Sequence, residues 1–372
     1  MAKLCDYEDC TGCAACMAVC THKAISFHKD KLGFAYPKIN TERCVDCKLC
    51  EKTCPVINKV DFHVPRLAYA CYVRDEEERL KSSSGGIATL LAKYYVEHGG
   101  IVYGCAFISP MTVKHIRCSN MADIYKLRGS KYVQSDLTEI LASLKEDLRQ
   151  GKDVLFIGTP CQVAGIKSRF KRFNNLSLVD LVCHGVPSIQ FLCDTLPKEI
   201  CQADKDSLTF RTNNRFQMTI TKGNSIVFKR PLNKDVFLKG FFTGLLFRNS
   251  CYSCRYACNE RVSDITIADF WKIKSKKIIE DGKGISMALL NTDKGAELFD
   301  KIKSQMIYEE RPKEEAFSGN EQLNHPYKKS LREIVFKGLY PKFGYHFALA
   351  IAIPDRLLGT KLKNHYCPVK VD

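Results

Sequence analysis

The sequence predicts an α+β architecture in two parts, a small cysteine-rich module followed by a larger mixed α/β domain. Three observations predict it. The run Cys10-x-x-Cys13-x-x-Cys16-x-x-x-Cys20 returns thirty-four residues later as Cys44-x-x-Cys47-x-x-Cys50-x-x-x-Cys54-Pro55. From residue 66 onward, apolar runs of strand length alternate with amphipathic stretches of helix length. A second cysteine group, Cys251, Cys254 and Cys258, stands just ahead of another strand-like run.

The bulk properties bound the reading. A chain of 372 residues, 45% hydrophobic and 26% charged, has room for two or three domains with a sizeable core. Its longest apolar run, residues 347–353, falls far short of the roughly 20 residues needed to cross a bilayer, so no membrane span is expected. Met1-Ala2-Lys3-Leu4-Cys5 leads straight into cysteine-rich sequence with no apolar signal region, so a cytoplasmic location is expected. Twenty cysteines in a large cytosolic chain point to metal ligation or redox chemistry, not to a disulfide scaffold.

The formal charge is +16 with every thiol counted as neutral. Three oxidised cubane clusters with their thiolates, about −2 each, lower it to roughly +10. Such a surface favours acidic partners: a redox protein, a phosphate-bearing cofactor or a small acidic substrate. The densest basic run, residues 272–277, lacks a recognition motif or aromatic-studded strand and reads as a solvated face, so no nucleic acid is expected.

Taken in order, the cysteine repeat encloses short strand candidates at 24–27 and 34–37, giving a first domain over residues 1–60. Residues 58–66, with Pro65, form a linker. Strands are expected at 67–73, 101–107, 154–157 and 176–182, interleaved with helices at 86–98, 137–150, 162–170 and 189–201. Shorter strands follow at 208–211, 217–221, 225–229 and 264–268. The tail beyond residue 317 shows helical periodicity in places and no legible chemistry.

The repeated spacing has a direct physical cause. Three closely spaced cysteines wrap one 4Fe-4S cubane, while the fourth reaches across to the other cluster. Cys10, Cys13, Cys16 and Cys54 therefore hold one cluster, and Cys44, Cys47, Cys50 and Cys20 the second, as in a dicluster ferredoxin. Zinc also takes four cysteines, but its modules rarely show this triple run twice with a crossing fourth residue. Thr21 stands where proline usually follows the fourth cysteine, which loosens a turn without removing a ligand. Cys5 is surplus to both sets and expected to be inert. The module implies single-electron transfer under anaerobic, reducing conditions.

Beyond residue 66 five motifs occur in order: Ser82-Ser83-Ser84-Gly85-Gly86, Gly129-Ser130-Lys131-Tyr132-Val133, Gly158-Thr159-Pro160-Cys161-Gln162, Val182-Cys183-His184-Gly185, and Cys251-x-x-Cys254 followed by residues 261–271. Together they resemble the family of coenzyme F420 hydrogenase/dehydrogenase beta subunits, in which an N-terminal ferredoxin fusion is frequent. The resemblance implies an FAD-binding N-terminal region at 66–150 and a C-terminal region at 151–315 with a third cluster and the flavin or substrate site; residues 316–372, rich in Lys and Arg, are read as a basic extension. The resemblance also implies FAD, with Cys161, Cys183, Cys251 and Cys254 as the third set of ligands.

The residues are compatible with those implications, and alternatives stand beside them. Thr159 can cap a helix that begins at Pro160, leaving Cys161 near a positive helix end that favours thiolate. Cys258 competes as fourth ligand, and Cys161 as a lone reactive thiol would make the protein a disulfide reductase. Glycines and small hydroxyls at 82–86, ahead of a helix, let backbone N–H groups approach a pyrophosphate, or simply cap that helix. Lys131 and Tyr132 flank flavin or substrate, or are surface and core; Gly158 and Thr159 occupy a strand-to-helix turn suited to a ligand. His184 is a candidate proton donor, or merely satisfies a carbonyl. In Asp269-Phe270-Trp271, Ala268 and Lys272 stand where the family usually has glycine.

The resulting expectation is an FAD-dependent iron–sulfur oxidoreductase that couples hydride chemistry to one-electron clusters, with coenzyme F420 as a candidate substrate. Two alternatives remain open: an electron-relay subunit docked on a hydrogenase-like partner or ferredoxin, and a reductase of a sugar-linked substrate in polysaccharide synthesis.

Overall fold

The computed structural model of the protein describes residues 2–212 and 215–357. The portion of the basic extension from residue 358 onward lies outside the described residues. The cysteine-rich module holds two five-residue helices, Ala15–Val19 and Leu49–Thr53, and the antiparallel pair β1 (Ile25–Lys29) and β2 (Ala35–Ile39). Its two halves repeat in backbone as well as in sequence. Ala14 and Lys48, each just after the second cysteine of its run, both adopt the left-handed conformation, with φ of 60° and 58°.

The larger part is built on β3 (Leu67–Val73), β4 (Ile101–Ile108), β5 (Thr112–Cys118), β6 (Val154–Gly158), β7 (Leu176–Leu181), β8 (Ser207–Thr212), β9 (Arg215–Lys222), β10 (Ser225–Pro231), β11 (Ile265–Asp269), β12 (Ser286–Leu290) and β13 (Met306–Arg311). Eight of these form one sheet in the order β13-β3-β12-β11-β7-β6-β4-β5; β10-β9-β8 form a separate antiparallel sheet. The centre, β4-β6-β7-β11, is parallel and both flanks are antiparallel. Strands with both faces buried read as continuous apolar runs, which is why Val154–Gly158 and Ser286–Leu290 are buried throughout.

Several expected boundaries shift. Strands from the 66–150 and 151–315 regions interleave in the one sheet, so the two regions share a core. The helix expected over 189–201 is two short helices, Ile189–Cys193 and Lys198–Gln202, because Pro197 cannot continue a helix. Strands β5, β12 and β13 were not anticipated. Helix Leu331–Ala352, kinked at Gly344, drives Phe336, Tyr340, Tyr345 and Leu349 into the same core as Phe191 and Phe237, so it does not stand apart as an extension. No helix among the described residues is long and apolar enough to cross a membrane.

The module is held against the sheet domain by backbone carbonyls. Arg248, 1% exposed, donates from Nε to Cys10 O (2.6 Å) and from its terminal nitrogens to Ala35 O, while its guanidinium stacks on Tyr36 at 3.9 Å. Gln134 donates to Thr11 O, Ser168 to Thr53 O and Arg169 to Ala18 O. Helix Pro160–Phe170 meets the module at Gly165, where a Cβ would lie 2.8 Å from Cys13 Cβ and 2.9 Å from its sulfur. Only glycine permits that approach.

A second buried arginine pins the loop that carries Cys254. Arg261 donates to Asp180 Oδ2 at 2.9 Å, both side chains at most 1% exposed, and also to Tyr256 O and Cys258 O. Removing one partner leaves a buried charge unpaired. Arg261→Ala should therefore lower stability by about 3–5 kcal/mol, whereas joint replacement by Arg261→Met and Asp180→Leu should cost far less. Chemical-denaturation midpoints compare the two.

Candidate functional site

The short helices Ala15–Val19 and Leu49–Thr53 pack side by side, which lets each run's last cysteine reach the other run. One cavity is lined by Cys10, Cys13, Cys16 and Cys54, the other by Cys20, Cys44, Cys47 and Cys50. These are the quartets expected from the spacing. No three His, Cys, Asp or Glu side chains among the described residues converge on a point as a single bound ion would require. The four thiols of each set line one cavity.

Cys5 departs from its expected role as a bystander. It lines the first cavity beside Cys10 and Cys54, and the three thiols interact. As free thiols, Cys10 and Cys54 are both lowered to about 6, chiefly by Cys5, while Cys5 itself is pushed up. The signal was available in the sequence as proximity to Cys10, but no ligand rule assigns a fifth cysteine.

The third group assembles where parallel strands end. Cys161 follows β6 in the first turn of its helix, Cys183 lies two residues beyond β7, and Cys251 and Cys254 come from the loop that Arg261 anchors. Each of the four thiols feels the field of at least one other: Cys183 that of Cys251, Cys161 and Cys254, and Cys161 that of Cys254. Cys258 is turned away, its sulfur directed to Arg255 O and Glu260 O. Thr159 N–H and hydroxyl both meet Gln162 Oε1 at 3.1 Å, and the Thr159 hydroxyl lies 3.3 Å from Cys161 Sγ. The helix end does not make Cys161 acidic as expected. Burial, followed by the neighbouring Cys254 thiol, outweighs it and raises the free thiol to about 11. Cys13 lies close enough to Cys161 to be raised by it, so the third group borders the first quartet.

The same carboxyl edge of the sheet gathers the other motifs, as open α/β sheets do at their ligand sites. Ser286 pairs with both Cys71 and Asp269, which sets the loop after β3 beside the end of β11. In the 82–86 loop, Ser82 and Ser84 hydroxyls donate to Glu78 O and Ile285 O, and Ser83 Oγ accepts from Ser130 N–H. Gly85 packs so tightly that a Cβ would fall 2.4 Å from Cys71 O, and Gly86 has φ of 88°. The backbone N–H groups of Ser83, Ser84, Gly85 and Gly86 have no acceptor among the described residues. They face an anion's requirements with donors to give.

The remaining candidates divide. Lys131 donates its ammonium to the carbonyls of Lys126, Leu127 and Arg128 at the end of helix Met121–Lys126, and burial lowers it to about 8. Tyr132 stacks on Phe241 at 4.6 Å inside an aromatic cluster. Gly158 is the last residue of β6, where a Cβ would meet the Phe156 ring. His184 is lowered to about 4 by burial, partly opposed by Asp269, and so is neutral at pH 7. Asp269 accepts from Arg211 at 2.6 Å, and Arg211 lies over Trp271. Sequence reasoning missed Arg211, whose only signal was a cation inside a short strand candidate. Lys272 adopts φ of 58°, the conformation that the glycine usual at that place would take without strain.

Comparison with known proteins agrees with this organisation. Residues 9–58 match the model of the 4Fe-4S dicluster domain, and residues 68–142 and 151–316 match the N- and C-terminal models of the coenzyme F420 hydrogenase/dehydrogenase beta subunit. An F(420)H(2) dehydrogenase subunit of Methanosarcina mazei is 20% identical over 327 residues, 84% of this chain and 88% of that one. A ketoisovalerate oxidoreductase subunit of Methanothermobacter marburgensis is 30% identical over 60 residues, 16% of this chain and 76% of its own. A chain of the F420-reducing [NiFe] hydrogenase complex from Methanosarcina barkeri superposes with a TM-score of 0.48 at 23% identity, over 70% of this chain and 89% of that one.

If the third quartet binds a cluster, Cys183→Ser should remove about a third of the iron of anaerobically prepared protein. Cys258→Ser should leave it unchanged. Iron and acid-labile sulfide assays read both.

Proposed function

The chain belongs to the family of coenzyme F420 hydrogenase/dehydrogenase beta subunits, with a 4Fe-4S dicluster domain on its amino-terminal side, and from that premise we propose an FAD-dependent iron–sulfur oxidoreductase. Its twelve candidate ligands would hold three clusters, two in the module and one at the carboxyl edge of the sheet. The two-electron partner would be coenzyme F420, which the name of the M. mazei relative supports.

The observation that carries the flavin part is the set of unpaired N–H groups at Ser83–Gly86, on the same sheet edge as Cys161 and Cys183. Hydroxyls of the loop are tied to the protein, so the backbone keeps its shape while its donors stay available for a pyrophosphate. An FAD held there supplies the exchange between hydride transfer and single electrons. Arg211 and Asp269 stiffen the far wall of the same edge, and Lys131, by capping a helix end, fixes the 129–132 loop against Ser83. The basic surface suits a negatively charged deazaflavin.

Anaerobic purification tests the reading. About twelve iron and about one FAD per chain are expected, together with dye reduction driven by reduced coenzyme F420. About eight iron without flavin would leave only the ferredoxin module. Gly86→Ala, strained by its positive φ and by Val73 Cγ2 at 2.9 Å from the new Cβ, should lower flavin content while iron content stays at the parent level.

A further inference from the structure

Of the twelve candidate ligands, Cys47 alone is exposed. The first quartet is buried, each cysteine at most 9% exposed, and the third borders it from the sheet side. The second quartet thus stands at the outer end of the series. Electron tunnelling weakens steeply with distance, so a partner that exchanges electrons with the chain gains most by reaching this end.

The surface there differs from an ordinary solvated face. Val45 and Leu49 line the cavity of the second quartet and are 57% and 41% exposed. Exposed cations neighbour them along the chain: Lys48 lines the same cavity, and Lys23, Lys38, Arg43 and Lys52 each lie within two residues of a lining side chain. Glu42 and Asp46 are the exposed acids among these neighbours, while Glu51 accepts from Lys3 N–H. A small apolar centre with a predominantly cationic rim at the mouth of a redox centre has the make-up of a transient electron-transfer contact.

We propose that the face formed by Val45, Leu49 and the cations Lys23, Arg43, Lys48 and Lys52 is the docking site for an acidic one-electron carrier protein. The inference deepens the proposed function and rests on its assignment of a cluster to the second quartet. Opposite charge steers the carrier to the rim, and the apolar pair excludes water at the contact. In each encounter one electron passes between the second cluster and the carrier's centre; one is oxidised, the other reduced, and no bond is made or broken. Two encounters match each two-electron event at the other end of the chain.

The test uses the full-length, cluster-loaded protein with an acidic bacterial-type dicluster ferredoxin as probe. Photoreduced protein is mixed with oxidised carrier in a stopped-flow instrument, and binding of the two oxidised proteins is measured by calorimetry. Arg43→Glu with Lys52→Glu should slow electron transfer at least about tenfold at low salt and flatten its dependence on ionic strength. Val45→Asp should weaken binding as well. Lys145→Glu with Arg149→Glu, the same total charge change at two exposed positions of the large domain, should leave both close to parent. Iron content, the cluster EPR signal and the rate with a small viologen should be unaltered in every variant. Equal carrier rates and affinities for parent and rim variants would overturn the docking site while leaving the oxidoreductase reading intact. Loss of iron from the parent itself would instead sink the underlying reading.

Discussion

The approach of Cys13 to Gly165 is the constraint on which the arrangement depends. The module's buried quartet meets the helix whose first turn carries Cys161. A missing Cβ makes the contact possible. Arg248, reaching across to Cys10 O and Ala35 O, then fixes the angle. Neither contact is an apolar patch of the kind that lets domains slide. Both specify one position, the first because a close steric fit tolerates little displacement, the second because hydrogen bonds to buried carbonyls are costly to leave unmade.

Electrostatics runs through the same residues. Thiolates and the clusters they hold carry negative charge into a low-dielectric region, which is unfavourable unless opposite charge or oriented dipoles stand close. Burial raises Cys161 and Cys251, and Arg248 opposes that rise at both; at Cys10 it adds to the lowering that Cys5 begins. Arg261 does so for Cys254 and Cys258, and the start of helix Pro160–Phe170 faces Cys161. Arg248 therefore joins the module to the sheet domain and acts on thiols of both, whereas the side chain of Arg261 works within the sheet domain.

How much was legible follows from where specificity resides. Ligand spacing is dictated by the dimensions of a cubane, so the cysteine runs state their own pairing, and the cavities at Cys54 and Cys20 cross over as the spacing requires. Strands buried on both faces declared themselves by apolar runs, as at 67–73 and 154–157. Sheet order did not, because β3 pairs with β12 and β13 across more than two hundred residues and no local pattern encodes such a partner. Lys131 and Tyr132 read as site residues by motif, yet one caps a helix and the other joins an aromatic cluster, roles set by tertiary neighbours. Cys5 and Arg211 gained their places the same way.

The position of β3 between β12 and β13 also bears on how the protein is made. A ribosome releases residues 67–73 long before 286–311 exist, so an apolar segment waits without either neighbour throughout most of translation. The module ahead of it has all eight of its candidate ligands by residue 54 and can mature early. Cofactor insertion at the amino end and sheet closure near the carboxyl end are thereby separated in time, and the nascent chain needs shelter for a strand in the interval between them.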